Sequence, residues 1–190
     1  MIGAVLAGGP ARRMGRRSKP AALLDGRPLA AYPLAALDPF CERVAVVCKP
    51  DTELPELPGA ERWEEPERPR HPLVGIVHAL ERAGEPVLVC AADMPFVTPD
   101  ACRSLITAAG GAGAGGAHAA VAVAGGVLQP VFGVYAPSAL DTFREAAPNA
   151  ALTATVEALG PVRVALPAQL VRSIDTPEAL AEAEAALRAR

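Results

Sequence analysis

Residues 6–20, LAGGPARRMGRRSKP, hold the densest chemistry in the chain. An apolar run ends at Leu6 and delivers the backbone to Gly8-Gly9. Glycines there let the backbone approach a ligand closely and present N–H groups to anionic oxygens. Arg12, Arg13, Arg16, Arg17 and Lys19 follow, five of the 18 basic residues of a chain whose net charge is −3. So local an excess points to a polyanionic ligand rather than to a basic field over the whole surface. The stretch contains neither the Gly-Lys followed by Ser or Thr of a P-loop nor a Gly-x-Gly-x-x-Gly dinucleotide turn. The other reading of these residues is a solvated basic loop.

Two aspartates could answer that loop. Asp93 lies in VLVCAADMPFVT, just past the carboxyl end of a hydrophobic run of strand length. In open α/β sheets ligands bind at that edge, and a carboxylate there can hold Mg²⁺ against phosphates. The same residue could instead cap a turn before Pro95. Asp175, in Ser173-Ile174-Asp175-Thr176-Pro177, stands just before a helix start, where an acid is also favoured by the helix dipole alone. Brought together beside the glycine loop, the two would make a metal–phosphate site.

The elements that must position these residues follow from hydrophobic periodicity. Ile2–Leu6, Val44–Cys48 and Val87–Ala91 are nearly continuous apolar runs, as suits parallel strands covered on both faces. Leu73, Ile76, Val77 and Leu80 fall on one helix face. Thr98-Pro99-Asp100 and Thr176-Pro177-Glu178 each give an N-cap, a proline at N1 and a first-turn acid. Pro28–Leu37 reads as a helix that Pro33 must kink or shorten. Gly110–Gly116 reads as a flexible link, and Ala119–Ala124 with Val127–Tyr135 as a hairpin turning on Gly125-Gly126. The alternation predicts one α/β domain over residues 1–190, doubly wound on a mostly parallel, mixed sheet.

Composition narrows the classes further. The 190 residues are 51% hydrophobic, enough for one full core. The acidic balance and the 4% aromatic content argue against nucleic acid and acidic membrane surfaces as partners. No apolar stretch is long enough to span a bilayer, and MIGAVLAGG lacks the basic start of a signal peptide, so the cytoplasm is expected. Cys41, Cys48, Cys90 and Cys102 form no CxxC pair and read as buried thiols. His71, His78 and His118 have no metal-ligand spacing.

With these motifs in hand, a resemblance becomes visible. Leu6-Ala7-Gly8-Gly9, Arg13-Met14-Gly15 and Lys19-Pro20 match the loop of nucleotidylyltransferases with a Rossmann-like, nucleotide-diphospho-sugar transferase (glycosyltransferase-A-like) fold. Pro72-Leu73-Val74-Gly75-Ile76, Ala92-Asp93-Met94-Pro95 and Asp175-Thr176-Pro177-Glu178-Ala179-Leu180 extend the match over essentially the whole chain. The set resembles the bacterial molybdenum cofactor guanylyltransferases. The resemblance implies that the backbone of Leu6, Ala7, Gly8 and Gly9 faces the nucleotide and that Arg13 and Lys19 contact its triphosphate. It implies Mg²⁺ on Asp93, with Asp175 as a second ligand. An acidic residue before the Pro-Leu-x-Gly segment holds the nucleotide in the family. Here Glu64 or Glu65 of Trp63-Glu64-Glu65-Pro66 stands in place of the usual aspartate, and Glu64 is the residue we assign. Where family members carry asparagine after the second strand this chain has Cys48-Lys49-Pro50, which makes Lys49 a candidate for base recognition. His71 and Gln129 fall near the nucleotide and the acceptor.

The implied reaction is transfer of GMP from GTP to the terminal phosphate of molybdopterin or molybdenum-molybdopterin, with release of pyrophosphate. Further implied partners are the proteins that deliver the cofactor or receive it. The alternatives are CMP transfer to the same cofactor, nucleotidyl transfer to another phosphorylated acceptor, and a non-catalytic nucleotide-binding regulator. Gly8-Gly9, where the cytidylyl branch tends to carry Ala-Gly, leans towards GTP. Asp175, where asparagine is usual, is shared with that branch.

Overall fold

In the computed structural model, which describes residues 1–9, 18–111, 116–147 and 150–188, the first apolar run forms strand β1 (Ile2–Leu6) inside a seven-stranded sheet. A two-stranded ribbon follows, β2 (Leu23–Leu24) and β3 (Arg27–Pro28), then α1 (Ala31–Leu37), β4 (Arg43–Cys48) and β5 (Ala60–Glu64). Next come α2 (Pro72–Ala83), β6 (Val87–Ala91), α3 (Pro99–Gly110), β7 (Ala119–Ala124) and β8 (Val127–Tyr135). The chain continues through α4 (Leu140–Glu145), α5 (Leu152–Glu157) and β9 (Val162–Ala165) to α6 (Pro177–Arg188).

The sheet order is β5-β4-β1-β6-β8-β7-β9. Strands β5, β4, β1 and β6 are mutually parallel, β8 is antiparallel to β6 and β7, and β9 is parallel to β7. The sheet is therefore mixed and mostly parallel, as the alternation predicted. The continuous apolar strands are explained by their two covered faces. Val44, Val46 and Cys48 pack with Leu37, Cys102 and Leu105 on one side. Ala45 and Val47 pack with Ile76, Ala79 and Leu80 on the other. The β7–β8 hairpin turns on Gly125 (φ 56°) and Gly126 (φ 80°), a conformation glycine adopts without strain.

Three details depart from the sequence reading. Helix α1 begins at Ala31 rather than Pro28, because Pro28 pairs with Leu23 in the ribbon. That start leaves Pro33 in the first turn, where its missing N–H is not needed. Edge strands β5 and β9 were not anticipated. In AERWE only Trp63 is buried and in VRVA nothing is, so neither shows a continuous apolar run. Helix α3 absorbs Gly110, and residues 112–115 of the expected link lie outside the described residues.

Chain direction sets up the site. From β1 the chain winds outward to β4 and β5, then returns to place β6 on the other side of β1. The crevice beyond the carboxyl ends of β1 and β6 is thus a topological switch point, where open α/β sheets bind ligands.

Candidate active site

The loops at this edge are tied to the strands they leave. Ala7 N–H donates to Val47 O at 2.8 Å, Glu65 N–H to Cys48 O at 2.9 Å, and Ala92 N–H to Leu6 O at 3.0 Å. These bonds carry the ladder one step beyond the strands and hold Gly8, Glu65 and Asp93 at one level. They also commit the Ala7 N–H and one lone pair of Leu6 O to the sheet. Among the described residues of the loop, Gly8 and Gly9 lie beyond the ladder, so they rather than Leu6 and Ala7 can turn backbone N–H groups to a ligand. A cavity of about 510 Å³ opens here, lined by Leu6, Ala7, Gly8, Gly9, Lys19, Glu65, Asp93 and Asp175 among others.

Lys19 begins a 3-10 turn, Lys19–Ala21, whose carbonyl accepts from Ala22 N–H at 3.1 Å. Its Nζ donates to Asp93 Oδ2 at 3.0 Å and to Asp175 Oδ1. Asp175 is delivered from the far end of the chain. Ile174 is fully buried against Leu24, Leu29 and Ala183, and its N–H donates to Asp93 O at 2.8 Å. Ser173 Oγ bonds Asp175 Oδ2 at 2.7 Å, and Thr176 Oγ1 caps α6 through Ala179 N–H. Burial works against the Lys19 ammonium, but Asp175 and Asp93 outweigh it and raise its pKa above the usual lysine value.

The residues present fit a hard cation. Two carboxylates that converge on one ammonium can converge on Mg²⁺, which is commonly held by one or two carboxylates, water and substrate phosphates. Among the described residues no group of three or more His, Cys, Asp or Glu side chains is assembled, so an all-protein cage is not what the site offers.

The acidic residue of β5 needs a correction. Glu64, the residue assigned from the sequence, points away from the cavity, half exposed and paired with Arg62 Nε at 2.9 Å. Glu65 is buried and lines the cavity. Successive residues at the end of a strand face opposite ways, so only one of the pair could do so. Burial raises the Glu65 carboxyl above the ordinary carboxylate range, although Lys49 and Arg70 pull the other way. Gly8 has a specific reason to be glycine: a Cβ there would overlap Glu65 Oε1. Lys49 does not line the cavity. Its Nζ donates to Pro66 O at 2.6 Å and Pro69 O at 3.0 Å and lies 3.3 Å from Glu65 Oε1.

Other candidates divide. His71 lines the cavity and is the N-cap of α2, its Nδ1 accepting from Leu73 N–H at 3.3 Å. Gln129 also lines the cavity. His118 bonds Ser138 Oγ at 2.8 Å, away from the site, and burial lowers the pKa of His78 on α2. Arg13 lies outside the described residues. Arg70, which no motif flagged, lines the cavity and pairs with Asp51.

The chain is similar to known proteins in sequence and in fold. The family model described as MobA-like NTP transferase domain matches residues 3–164. A protein of Cereibacter sphaeroides named molybdenum cofactor guanylyltransferase is 32% identical over 99% of this chain and 97% of its own length. Among solved structures, molybdopterin-guanine dinucleotide biosynthesis protein A from Archaeoglobus fulgidus superposes with TM-score 0.76 at 25% identity, covering 100% of each chain. The 2-C-methyl-D-erythritol 4-phosphate cytidylyltransferase of Thermus thermophilus shares the fold, with TM-score 0.70 at 22% identity over 97% of this chain and 98% of its own.

Proposed function

The chain belongs to the MobA-like NTP transferase family, and from that premise we propose that it is a molybdenum cofactor guanylyltransferase acting through the cavity at the β1–β6 edge. It transfers GMP from GTP to the terminal phosphate of molybdopterin carrying molybdenum. The observation that carries the reading is the convergence of Gly8, Lys19, Glu65, Asp93 and Asp175 on one cavity, in a chain alike to guanylyltransferases from end to end.

An acceptor phosphate oxygen attacks the α-phosphorus of GTP. The new O–P bond forms as the bond to the β-phosphate bridging oxygen breaks, and pyrophosphate leaves with that electron pair. The nucleophile is already anionic, so no side chain need act as general base. The protein must align two polyanions and answer the charge that grows on the leaving group. Gly8 and Gly9 present backbone N–H groups to the phosphates. The Lys19 ammonium, held beside Asp93 and Asp175, is within reach of the same phosphates. Arg13, which lies between the glycine pair and Lys19 in the sequence, supplies a further positive charge in this scheme. Glu65 accepts from the base.

Asp93 and Asp175 would hold Mg²⁺, which when bound neutralises phosphate charge and favours departure of pyrophosphate. Residues 1–190 act as one nucleotidylyltransferase domain. Among the described residues no helix is long and apolar enough to cross a membrane, and the reading places the reaction in the cytoplasm, where carriers of the cofactor and acceptor molybdoenzymes would meet it. The test is the product. Incubation with GTP, Mg²⁺ and molybdenum-loaded molybdopterin should yield a cofactor heavier by one guanylyl group (GMP less water), read by mass spectrometry. Recovery of the acceptor unchanged would contradict the proposal.

A further inference from the structure

Lys49 is 1% exposed, and a lysine so deep must have its charge answered. Pro66 O, Pro69 O and Glu65 Oε1 surround its ammonium, three oxygens for three N–H donors. It therefore has nothing left to offer a ligand, and it does not line the cavity. Glu65, which it holds, does. Oε1 of Glu65 occupies the space that a side chain at Gly8 would need. Oε2 is buried, has no hydrogen-bond partner among the described residues, and would lie 3.3 Å from a Cβ at Gly75.

We propose that Lys49 is a positioning residue for nucleotide choice. By holding Glu65 and the backbone of residues 66–69, it seats an ionised carboxylate against Gly8 as acceptor for the donor edge of guanine. This rests on the GTP reading above and adds to it a residue that acts through another.

The chemistry makes the charge of Glu65 decisive. An ionised carboxylate only accepts, whereas its protonated form also donates. Guanine presents two adjacent donors on its pairing edge, N1–H and the N2 amine. Cytosine presents the N4 amine beside an acceptor, N3. A carboxylate therefore matches guanine, and a neutral acid matches cytosine better. Burial favours the neutral acid; Lys49 and Arg70 oppose it. Without the Lys49 charge, Arg70 opposes burial alone among the described residues. His71 and Lys19 share the cavity, and His78 is within electrostatic reach of Lys49. Burial keeps the His78 imidazole below its ordinary range, so it titrates below neutral pH.

The experiment uses the full chain with Lys49→Met, Lys49→Arg, Glu65→Gln and the double variant Lys49→Met/Glu65→Gln. KM and kcat for GTP and for CTP are measured from about pH 7 to about pH 8.5, above the ordinary carboxyl and imidazole ranges. Lys49→Met should raise KM for GTP about tenfold or more at the acid end, more than it lowers kcat, and shrink the preference for GTP over CTP. The defect should ease as pH rises and Glu65 ionises. Lys49→Arg, which keeps the charge, should restore a flat pH profile. The double variant should lose the pH dependence and match Glu65→Gln. If Lys49→Met does not fold, Glu65→Gln must still shrink the preference while Lys49→Arg keeps it. Wild-type KM in Lys49→Met, or an equal, pH-independent loss for both nucleotides, overturns the role of Lys49 and leaves the GTP reading standing. A wild-type protein without preference for GTP overturns both.

Discussion

Asp93 and Asp175 face a shared ammonium, and their chemistry separates them from ordinary turn caps. Asp93→Asn keeps the size of the side chain and its capping capacity but removes the charge. It should lower turnover by about 10²–10³, the usual cost of losing one electrostatic element at a reacting phosphate, with the melting temperature nearly unchanged. Asp175→Asn should cost less, since the resemblance tolerates asparagine there. Turnover and Mg²⁺ titration of both variants check this, and near-normal turnover of Asp93→Asn would remove the proposed metal role. Glu65 gives a second test at this scale. Its folded-state carboxyl is raised above the ordinary value of 4.5, first by burial. The stability tied to the neutral form is present below that value and is lost as pH rises through the raised one. Glu65→Gln cannot ionise, so its melting temperature relative to wild type should climb over that interval; a constant difference would contradict the shift. Asp93 was legible because an apolar strand and a turn bracket it in the sequence. Glu65 was not, because two adjacent glutamates leave the choice to strand alternation, and β5 is too polar to reveal its register.

The loops work as they do because elements clamp them from both sides. Glu65 is packed between Gly8, after β1, and Gly75, on α2. Gly8→Ala should therefore push the carboxylate off its seat without breaking a strand. We expect KM for GTP to rise about tenfold with little change in melting temperature, because the displaced atoms are the end of a side chain rather than backbone. Unchanged nucleotide binding in Gly8→Ala would mean that Glu65 does not need that seat. The glycine pair was readable from sequence as a close approach, but its partner was not. Spacing shows that room is needed, and only the fold shows that a neighbouring carboxylate fills it. The ribbon β2–β3 illustrates the same limit. It consists of two-residue strands, too short for any periodicity, yet it supplies Leu24 and leads directly into Leu29, the residues against which Ile174 fixes the approach to Asp175.

Over the whole molecule, the parallel core of the sheet was written in the apolar runs, whereas the strand order that makes the switch point, and the polar strand β5 that brings residue 65 to the edge of residues 8 and 93, were not. The approach of residue 175 depends on long-range packing that no local pattern encodes. The buried thiols belong to this scale too. Burial raises the pKa of Cys102 to about 12 and also raises those of Cys48 and Cys90. A thiol reagent at neutral pH should label these three only as the protein unfolds; rapid labelling in the native state would show that the core opens. Transfer of a guanylyl group in this cavity ties pyrophosphate release to both substrates. Its most direct test is pyrophosphate release measured side by side with GTP and CTP, each with and without molybdenum-loaded molybdopterin. Release should require the acceptor and be faster with GTP. Equal or faster release with CTP, or release that ignores the acceptor, would contradict it.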